Sequence, residues 1–158
     1  MTKHAVDELL SLLDAAFDGE DWHALLRNLR AVPAEAWEWV PPGGKRSVRD
    51  LAQHVGACKY MYENSAFGDR TLTWDDPLVL GDGALTDAAS AIAWLREGQA
   101  RLRGSVAALD DAELGRPRRA YWDRVKETRW GIAVMIQHDL YHCGEINHVR
   151  ALFQGDDA

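Results

Sequence analysis

The chain has 158 residues, of which 47% are hydrophobic and 27% are charged, and its formal net charge at pH 7 is −7. A chain of this length fits one domain and buries roughly 70% of the surface of its unfolded form, so we expect a single domain over residues 1–158. The composition excludes long disorder, and the acidic charge without a basic stripe excludes nucleic acid as the expected partner.

The first predicted helix runs from Val6 to Phe17, with its leucines and Phe17 on one face. Helical periodicity continues from Trp22 to Leu29, but the glycine of Asp18-Gly19 separates the two segments. We therefore expect the first helix to be broken near Asp18-Gly19. Residues 41–44, with the sequence Pro-Pro-Gly-Gly, predict a loop.

The second long helix is predicted over residues 47–66, because Ser47 followed by Asp50 forms a capping arrangement. Residues 67–84 predict a long surface connection, where we expect substrate specificity to reside. A third helix is predicted from Thr86 to Leu109, since its apolar residues recur at helical spacing.

The final helix is predicted from Thr128 to Phe153, after a connection over residues 115–126. Leu78 to Leu80 and Arg118 to Trp122 could form short extended pieces. Because no window alternates convincingly with a period of two, four amphipathic helices predict an all-α four-helix bundle whose interior can host a metal.

His138 and His142 lie four residues apart, so on a helix their imidazoles point the same way and can share one metal ion. The alternative is a chance pair on a solvated face, since the chain has six histidines. His54 lies on the inward stripe of the second helix, where a lone histidine is more often part of a core. Together the three form the ligand set of a catalytic Zn²⁺ site with open positions.

Two neighbours of these histidines have several interpretations. Cys58 lies on the same side as His54, where it is either a fourth ligand or a small residue that fills the core. Glu145 follows His142 by three residues, where it could orient the imidazole, act as a base on metal-bound water or pair with Arg150.

Several residues near these histidines in the sequence, and the remaining histidines, have lesser predicted roles. Asp139 is expected in a helix-surface or interhelical contact. Aromatic side chains that could exclude water from the site, or simply pack, are Tyr141, Trp130 and the pair Tyr121-Trp122. Basic residues that could meet an anionic substrate, or form a solvated edge, are Arg124, Lys126 and Arg129. The histidines expected to be surface or structural residues are His4, His23 and His148.

The cellular setting follows from the cysteines and the N-terminus. Two cysteines are too few for a secreted disulfide framework, which indicates a reducing compartment. Asp7, Glu8 and Asp14 interrupt the leucines that a signal peptide would need, and no apolar stretch reaches the ~20 residues of a membrane span. We expect a cytoplasmic protein without membrane contact.

Two segments resemble the DinB superfamily: SVRDLAQHV, which contains His54, and HDLYHCGEINHVR, which contains His138 and His142. That superfamily includes bacillithiol transferases of the YfiT type and mycothiol-dependent maleylpyruvate isomerases. The resemblance implies an antiparallel four-helix bundle in up-up-down-down order, a homodimer, and one divalent metal held by His54, His138 and His142. The metal could be zinc, nickel, manganese or iron.

Three functions are compatible with this resemblance. The first is a thiol-dependent S-transferase, in which the metal activates a low-molecular-weight thiol such as bacillithiol, mycothiol or glutathione. The second is a hydrolase of a small amide or ester, in which the metal acidifies water. The third is a non-catalytic metal-binding module of a stress response. We expect the first, by analogy with the transferase relatives.

Overall fold

The computed structural model describes residues 2–120 and 124–155. Within these ranges the chain is mostly helical, with one small antiparallel sheet, so the all-α prediction is confirmed. The helices are α1 (His4–Asp18), α2 (Leu25–Arg30), α3 (Val48–Ala66), α4 (Pro77–Leu80), α5 (Ala88–Ala107) and α6 (Thr128–Gln154), and the strands are β1 (Pro117–Arg119) and β2 (Val125–Glu127). Short 3-10 helices cover Ala34–Ala36 and Asp111–Gly115.

Local signals in the sequence explain where the long helices begin and end. Ser47 and Asp50 form a reciprocal capping box at the start of α3, where the Ser47 Oγ accepts a hydrogen bond from the Asp50 N–H at 3.2 Å. The predicted break near Asp18-Gly19 is confirmed, since α1 ends at Asp18. Glycine fits at position 19 because a Cβ there would lie 2.5 Å from the Ala15 carbonyl oxygen. The second piece begins at Leu25, however, and Trp22 before it is 77% exposed.

The directions of the four long helices follow from the side-chain contacts between them. The contacts are Asp14–Arg103 and Asp18–Arg96 between α1 and α5, Lys59–Gln99 and Glu63–Ser105 between α3 and α5, and His54–His142 and Lys59–Asp139 between α3 and α6. They make α1 antiparallel to α5, α3 parallel to α5, and α6 antiparallel to α3. The order is therefore up-down-down-up, and the predicted up-up-down-down order is wrong.

The physical reason for this order is the number of long crossovers. Residues 67–87 form a connection that returns along the bundle, so that α3 and α5 point the same way. The connection over residues 19–47 joins α1 to α3 at one end of the bundle. The connection over residues 108–127 joins α5 to α6 at the other end. An up-up-down-down bundle needs two crossovers, whereas this chain has a single one within the residues described.

Two predictions of extended structure have different outcomes. The piece predicted at Leu78 to Leu80 is wrong, because Asp76 caps a helical turn there with Pro77 at its first position. The piece predicted from Arg118 to Trp122 is extended as far as Arg119, within β1. Residues 121–123 lie outside the described part of the chain.

A polar layer crosses the bundle between two clusters of buried apolar side chains. We define the polar layer as His54, Lys59, Gln99, His138, Asp139 and His142. On α6 the layer lies between Ile136 of one apolar cluster and Cys143 of the other. Among the described residues, no helix is long and apolar enough to cross a membrane.

Candidate metal centre

Three imidazoles converge between α3 and α6, within the polar layer. The Nε2 atoms of His54 and His138 lie 3.2 Å apart. The ring centroids of His138 and His142 are 4.3 Å apart, and His54 lies 5.1 Å and 4.8 Å from them. One ring nitrogen of each histidine lies within 4.8 Å of the others, so the three could hold one metal ion.

The helices explain this convergence. His138 and His142 are one turn apart on α6, so their side chains leave the helix on the same face. The antiparallel packing of α3 brings His54 opposite this pair. The side chain of His142 is buried, whereas His54 and His138 are half-buried. The cluster is therefore not completely enclosed by the protein.

Glu145 orients His142. The Nδ1 of His142 lies 2.5 Å from the Glu145 Oε2, so Nδ1 carries a proton that it donates to the carboxylate, and Nε2 keeps its lone pair. The other carboxylate oxygen accepts a hydrogen bond from Arg46 at 3.5 Å. Glu145 is not paired with Arg150, the alternative considered from sequence, because Arg150 donates to Asn147 at 2.6 Å.

The electrostatics of the cluster keep all three imidazoles neutral at pH 7. Burial lowers the pKa of His138 to about 3, and repulsion from His142 and His54 adds to the effect. Burial is also the main reason why the pKa values of His54 and His142 lie below the ordinary value, although Glu145 partly opposes this shift at His142. A neutral imidazole presents the lone pair that binding to a metal requires.

The spacing of the nitrogens fits a divalent cation. Imidazole nitrogens bound to Zn²⁺ at 2.0–2.1 Å in a tetrahedral array lie about 3.3 Å apart. The 3.2 Å between the Nε2 atoms of His54 and His138 matches this separation. The buried Nδ1 of His138 has no hydrogen-bond partner among the described residues, so nothing there fixes the tautomer of that ring as Glu145 does for His142.

Cys58 adjoins the cluster as a neutral thiol. Its Sγ lies 3.9 Å from the Nε2 of His54, and burial raises its pKa to about 12. The side chain is only 6% exposed and packs within an apolar cluster. Cys143 is also a thiol, because burial raises its pKa to about 11, and it accepts a hydrogen bond from Asn28 at 3.0 Å.

A buried ion pair lies directly beside the histidines. The Lys59 Nζ lies 2.7 Å from the Asp139 Oδ2, and both side chains are fully buried. Lys59 also donates to the Gln99 Oε1 at 2.8 Å. Burial raises the pKa of Asp139, although the Lys59 ammonium opposes this shift. Asp139 therefore makes the interhelical contact that was one of its two predicted roles.

Lys59 and Arg46 are the functional neighbours that sequence reasoning missed. Lys59 lies within an apolar run on α3, and a charge in such a run is a signal that a buried partner exists. Asp139, next to a candidate ligand, was the available partner of opposite charge. Arg46 gave no such signal, because its position depends on the loop that precedes α3.

The remaining candidates lie at the edge of the cluster or away from it. Tyr141 is 66% exposed and contacts the His142 ring edge-on at 5.0 Å, so it covers part of the site. Trp130 lies eight residues before His138, or about 12 Å along α6, and does not cover the site. The pair Tyr121-Trp122 lies outside the described residues. The basic residues near Trp130 are all exposed: Arg124, Lys126 and Arg129.

The other histidines remain outside the cluster. His4 is exposed, and His23 lies 3.8 Å from the Asp21 carboxylate near the surface. His148, which was expected to be structural, is exposed and lines a cavity together with Glu145. The described residues of the 67–84 connection do not line that cavity.

The fold and the site define a class: a helical bundle in which two helices bring three histidines to one point. The family model of the DinB superfamily matches residues 19–146. The chain therefore belongs to the DinB superfamily, which confirms the resemblance drawn from the two histidine segments. None of the curated proteins compared with the chain matches it.

Proposed function

We propose that this protein is a metal-dependent enzyme in which His54, His138 and His142 hold one divalent cation. We further propose that its reaction is S-transfer, with a low-molecular-weight thiol as co-substrate. The observation that carries the proposal is the convergence of three neutral imidazoles, two of which are only half-buried. Thiol chemistry rests on analogy with transferases of the superfamily.

A divalent cation at this site would lower the pKa of a thiol that reaches it and so increase the fraction of nucleophilic thiolate. Three neutral ligands would leave the full positive charge of the cation available. In the reaction the thiol loses its proton, its sulfur forms a bond to an electrophilic carbon, and the leaving group departs with its electron pair. The products are therefore the molecule with the new sulfur–carbon bond, the released proton and the leaving group.

The residues of the chain have distinct parts in this proposal. Glu145 keeps a proton on the Nδ1 of His142, so that Nε2 faces the cluster. The Lys59–Asp139 pair ties α3 to α6 and thereby holds His54 opposite the other two histidines. In the metal-free chain burial raises the pKa of Cys58 to about 12, so the proposed nucleophile is the thiol of the co-substrate.

Hydrolysis of a small amide or ester is the second candidate. Glu145 favours it, because this carboxylate both contacts His142 and lines the adjoining cavity, where it could accept a proton from water. A non-catalytic metal-binding module is the remaining alternative.

The proposed ligands are tested by elemental analysis of protein purified without a histidine tag. We expect one divalent metal per chain in the wild type and none in His54→Ala, His138→Ala or His142→Ala. The matched control is His23→Ala, which removes a histidine near the surface and should leave the metal content unchanged. Full metal content in any of the three ligand variants would refute its assignment.

The reaction is tested with the metal-loaded protein. Bacillithiol, mycothiol and glutathione are each supplied with 1-chloro-2,4-dinitrobenzene, and 4-nitrophenyl acetate is supplied without thiol. Thiol-dependent product that is lost in His138→Ala supports the transferase. Ester cleavage without thiol dependence supports the hydrolase instead. Stoichiometric metal without turnover of any substrate would contradict both enzymatic proposals and favour the non-catalytic module.

We also propose a homodimer, as the family resemblance implies. Sedimentation should then give a particle of twice the 17.7 kDa chain mass. A monomer at working concentrations would contradict this proposal without affecting the metal site.

A further inference from the structure

A cavity of about 500 Å³ opens next to the histidine cluster, between the loop over residues 41–46 and the second half of α6. This volume lies in the range of small-molecule sites, which is about 300–1,000 Å³. One wall is apolar and is formed by Leu51, Val149 and Leu152. The opposite rim is polar. Glu145 belongs to the rim and also contacts His142, so the cavity adjoins the proposed metal site.

The charges at the rim favour a single negative charge in a ligand. Lys45 and Arg46 provide two positive charges and Glu145 provides one negative charge, which leaves an excess of one positive charge. The chain as a whole has a net charge of −7, so this local excess runs against the overall charge. Within the described residues, Lys45 makes no ion pair.

The loop also presents unused backbone donors. Gly44 donates to the Pro41 carbonyl at 2.8 Å, and Gly43 between them has a φ of +79°, so the loop makes a tight turn that needs glycine. None of the described residues accepts a hydrogen bond from the N–H of Gly43, Lys45 or Arg46. These N–H groups therefore have no acceptor among the described residues, and they belong to the loop that lines the cavity.

Arg46 is only weakly held in its present position. Its Nη2 lies 3.5 Å from the Glu145 Oε1, which is the outer limit of a hydrogen bond, and its side chain is 46% exposed. Such an exposed contact contributes little stability. A carboxylate that accepts two parallel hydrogen bonds from the guanidinium would compete with it effectively.

We propose that this cavity binds the carboxylate of the substrate, and that the substrate is a small organic acid with an apolar body. Lys45 and Arg46 contact the carboxylate, and the apolar body lies against Leu51 and Val149. The single excess charge of the rim matches a monoanion better than a phosphate dianion. This inference rests on the proposed function, because it assigns the substrate class of that same site.

The test is equilibrium binding by calorimetry of 1-naphthoate and of its neutral counterpart, 1-naphthamide. Both metal-loaded and metal-free protein are titrated, so that coordination of the carboxylate to the metal is separated from binding at the rim. We expect naphthoate to bind about 10-fold more tightly than naphthamide in both forms. Lys45→Gln should weaken naphthoate binding about 5-fold and Arg46→Gln about 10-fold, with naphthamide unaffected.

The matched control is Arg101→Gln, which removes one positive charge from an exposed position on α5 that does not line the cavity. Its affinity for naphthoate should equal that of the wild type. Equal binding of the acid and the amide, or naphthoate binding only to the metal-loaded form, would overturn the inference. Tighter binding of 1-naphthyl phosphate would overturn the assignment to a carboxylate.

Failure of this inference can be distinguished from failure of the proposed function. Only the inference would be overturned if the wild type turned over acidic and neutral electrophiles equally well and the KM for acidic electrophiles did not rise in Lys45→Gln. The absence of thiol-dependent turnover in the wild type would overturn the proposed function, while the calorimetry would still report on the cavity.

Discussion

At the residue scale, Glu145 links the histidine cluster to the cavity. It contacts His142, accepts a hydrogen bond from Arg46 and lines the cavity. A carboxylate that accepts the proton of a metal-binding imidazole fixes both the tautomer and the orientation of the ring. Loss of such a partner costs roughly 10- to 100-fold in metal affinity. The position of Glu145 therefore predicts a measurable effect on the metal.

We predict that Glu145→Ala lowers metal affinity about 10- to 100-fold, whereas Glu145→Gln lowers it less, because the amide oxygen still accepts from Nδ1. Competition with a chromophoric chelator measures both values. Unchanged affinity in Glu145→Ala would contradict the orienting role. A Glu145→Gln variant that keeps its metal but loses turnover and the acidic limb of its pH–rate profile would show that Glu145 acts as a base.

The sequence identified the three histidines because each signal was local: one spacing of four residues and one inward stripe. It also placed Glu145 correctly beside His142. The sequence did not reveal which basic residue contacts Glu145. That residue is Arg46, which reaches α6 only in the folded chain. Tertiary packing decides which side chains of different helices come into contact. The spacing of residues within one helix does not reveal these contacts.

At the scale of elements, the buried ion pair between Lys59 and Asp139 joins α3 to α6. Removing one member of a buried pair leaves an unpaired charge and costs about 3–5 kcal/mol, whereas replacing both members with apolar residues is often neutral. The Oδ1 of Asp139 already lacks a hydrogen-bond partner among the described residues. The pair is therefore better understood as a determinant of alignment than as a source of stability.

We predict that Lys59→Met and Asp139→Leu each lower the free energy of unfolding by about 3–5 kcal/mol, and that the double variant recovers most of this loss. Urea denaturation measures all three. We further expect the double variant to bind metal more weakly than the wild type, because nothing polar then aligns His54 with α6. Wild-type metal affinity in a stable double variant would contradict the alignment role.

Element boundaries were predicted best where the sequence carries a cap. The Ser47–Asp50 box gave the start of α3, and Gly155 gave the end of α6. The helical turn at Leu78 to Leu80 was missed because four residues are too few to show periodicity. The direction of α3 relative to α5 was also missed, since it depends on the path of the 67–87 crossover and not on either helix.

At the scale of the whole molecule, the polar layer interrupts the apolar core. Three neutral imidazoles there have pKa values below the ordinary 6.5, and that of His138 is lowered to about 3. In the unfolded chain these groups recover ordinary values. At pH values between the folded and the unfolded pKa values, the unfolded chain binds more protons than the folded chain. The free energy of unfolding therefore falls as the pH falls below about 6.5.

We predict that metal-free protein loses stability between pH 7 and pH 5, by about 1–2 kcal/mol through His138, whose pKa is lowered to about 3, and by less through His54 and His142. Urea denaturation after removal of the metal measures the loss. The His138→Gln variant should show a smaller dependence on pH, since it lacks the group with the largest shift. An identical dependence in that variant would contradict the assignment of the effect to the cluster.

The separation of the proposed ligands along the chain has a consequence for biosynthesis. His54 and His138 lie 84 residues apart, and two of the three ligands belong to the last helix of the described chain. A ribosome makes His54 early and the other two late. A nascent chain therefore offers only one of the three proposed ligands until α6 emerges, so metal acquisition at the proposed site has to follow translation of that helix. Chains truncated before His138 would leave the ribosome without a site.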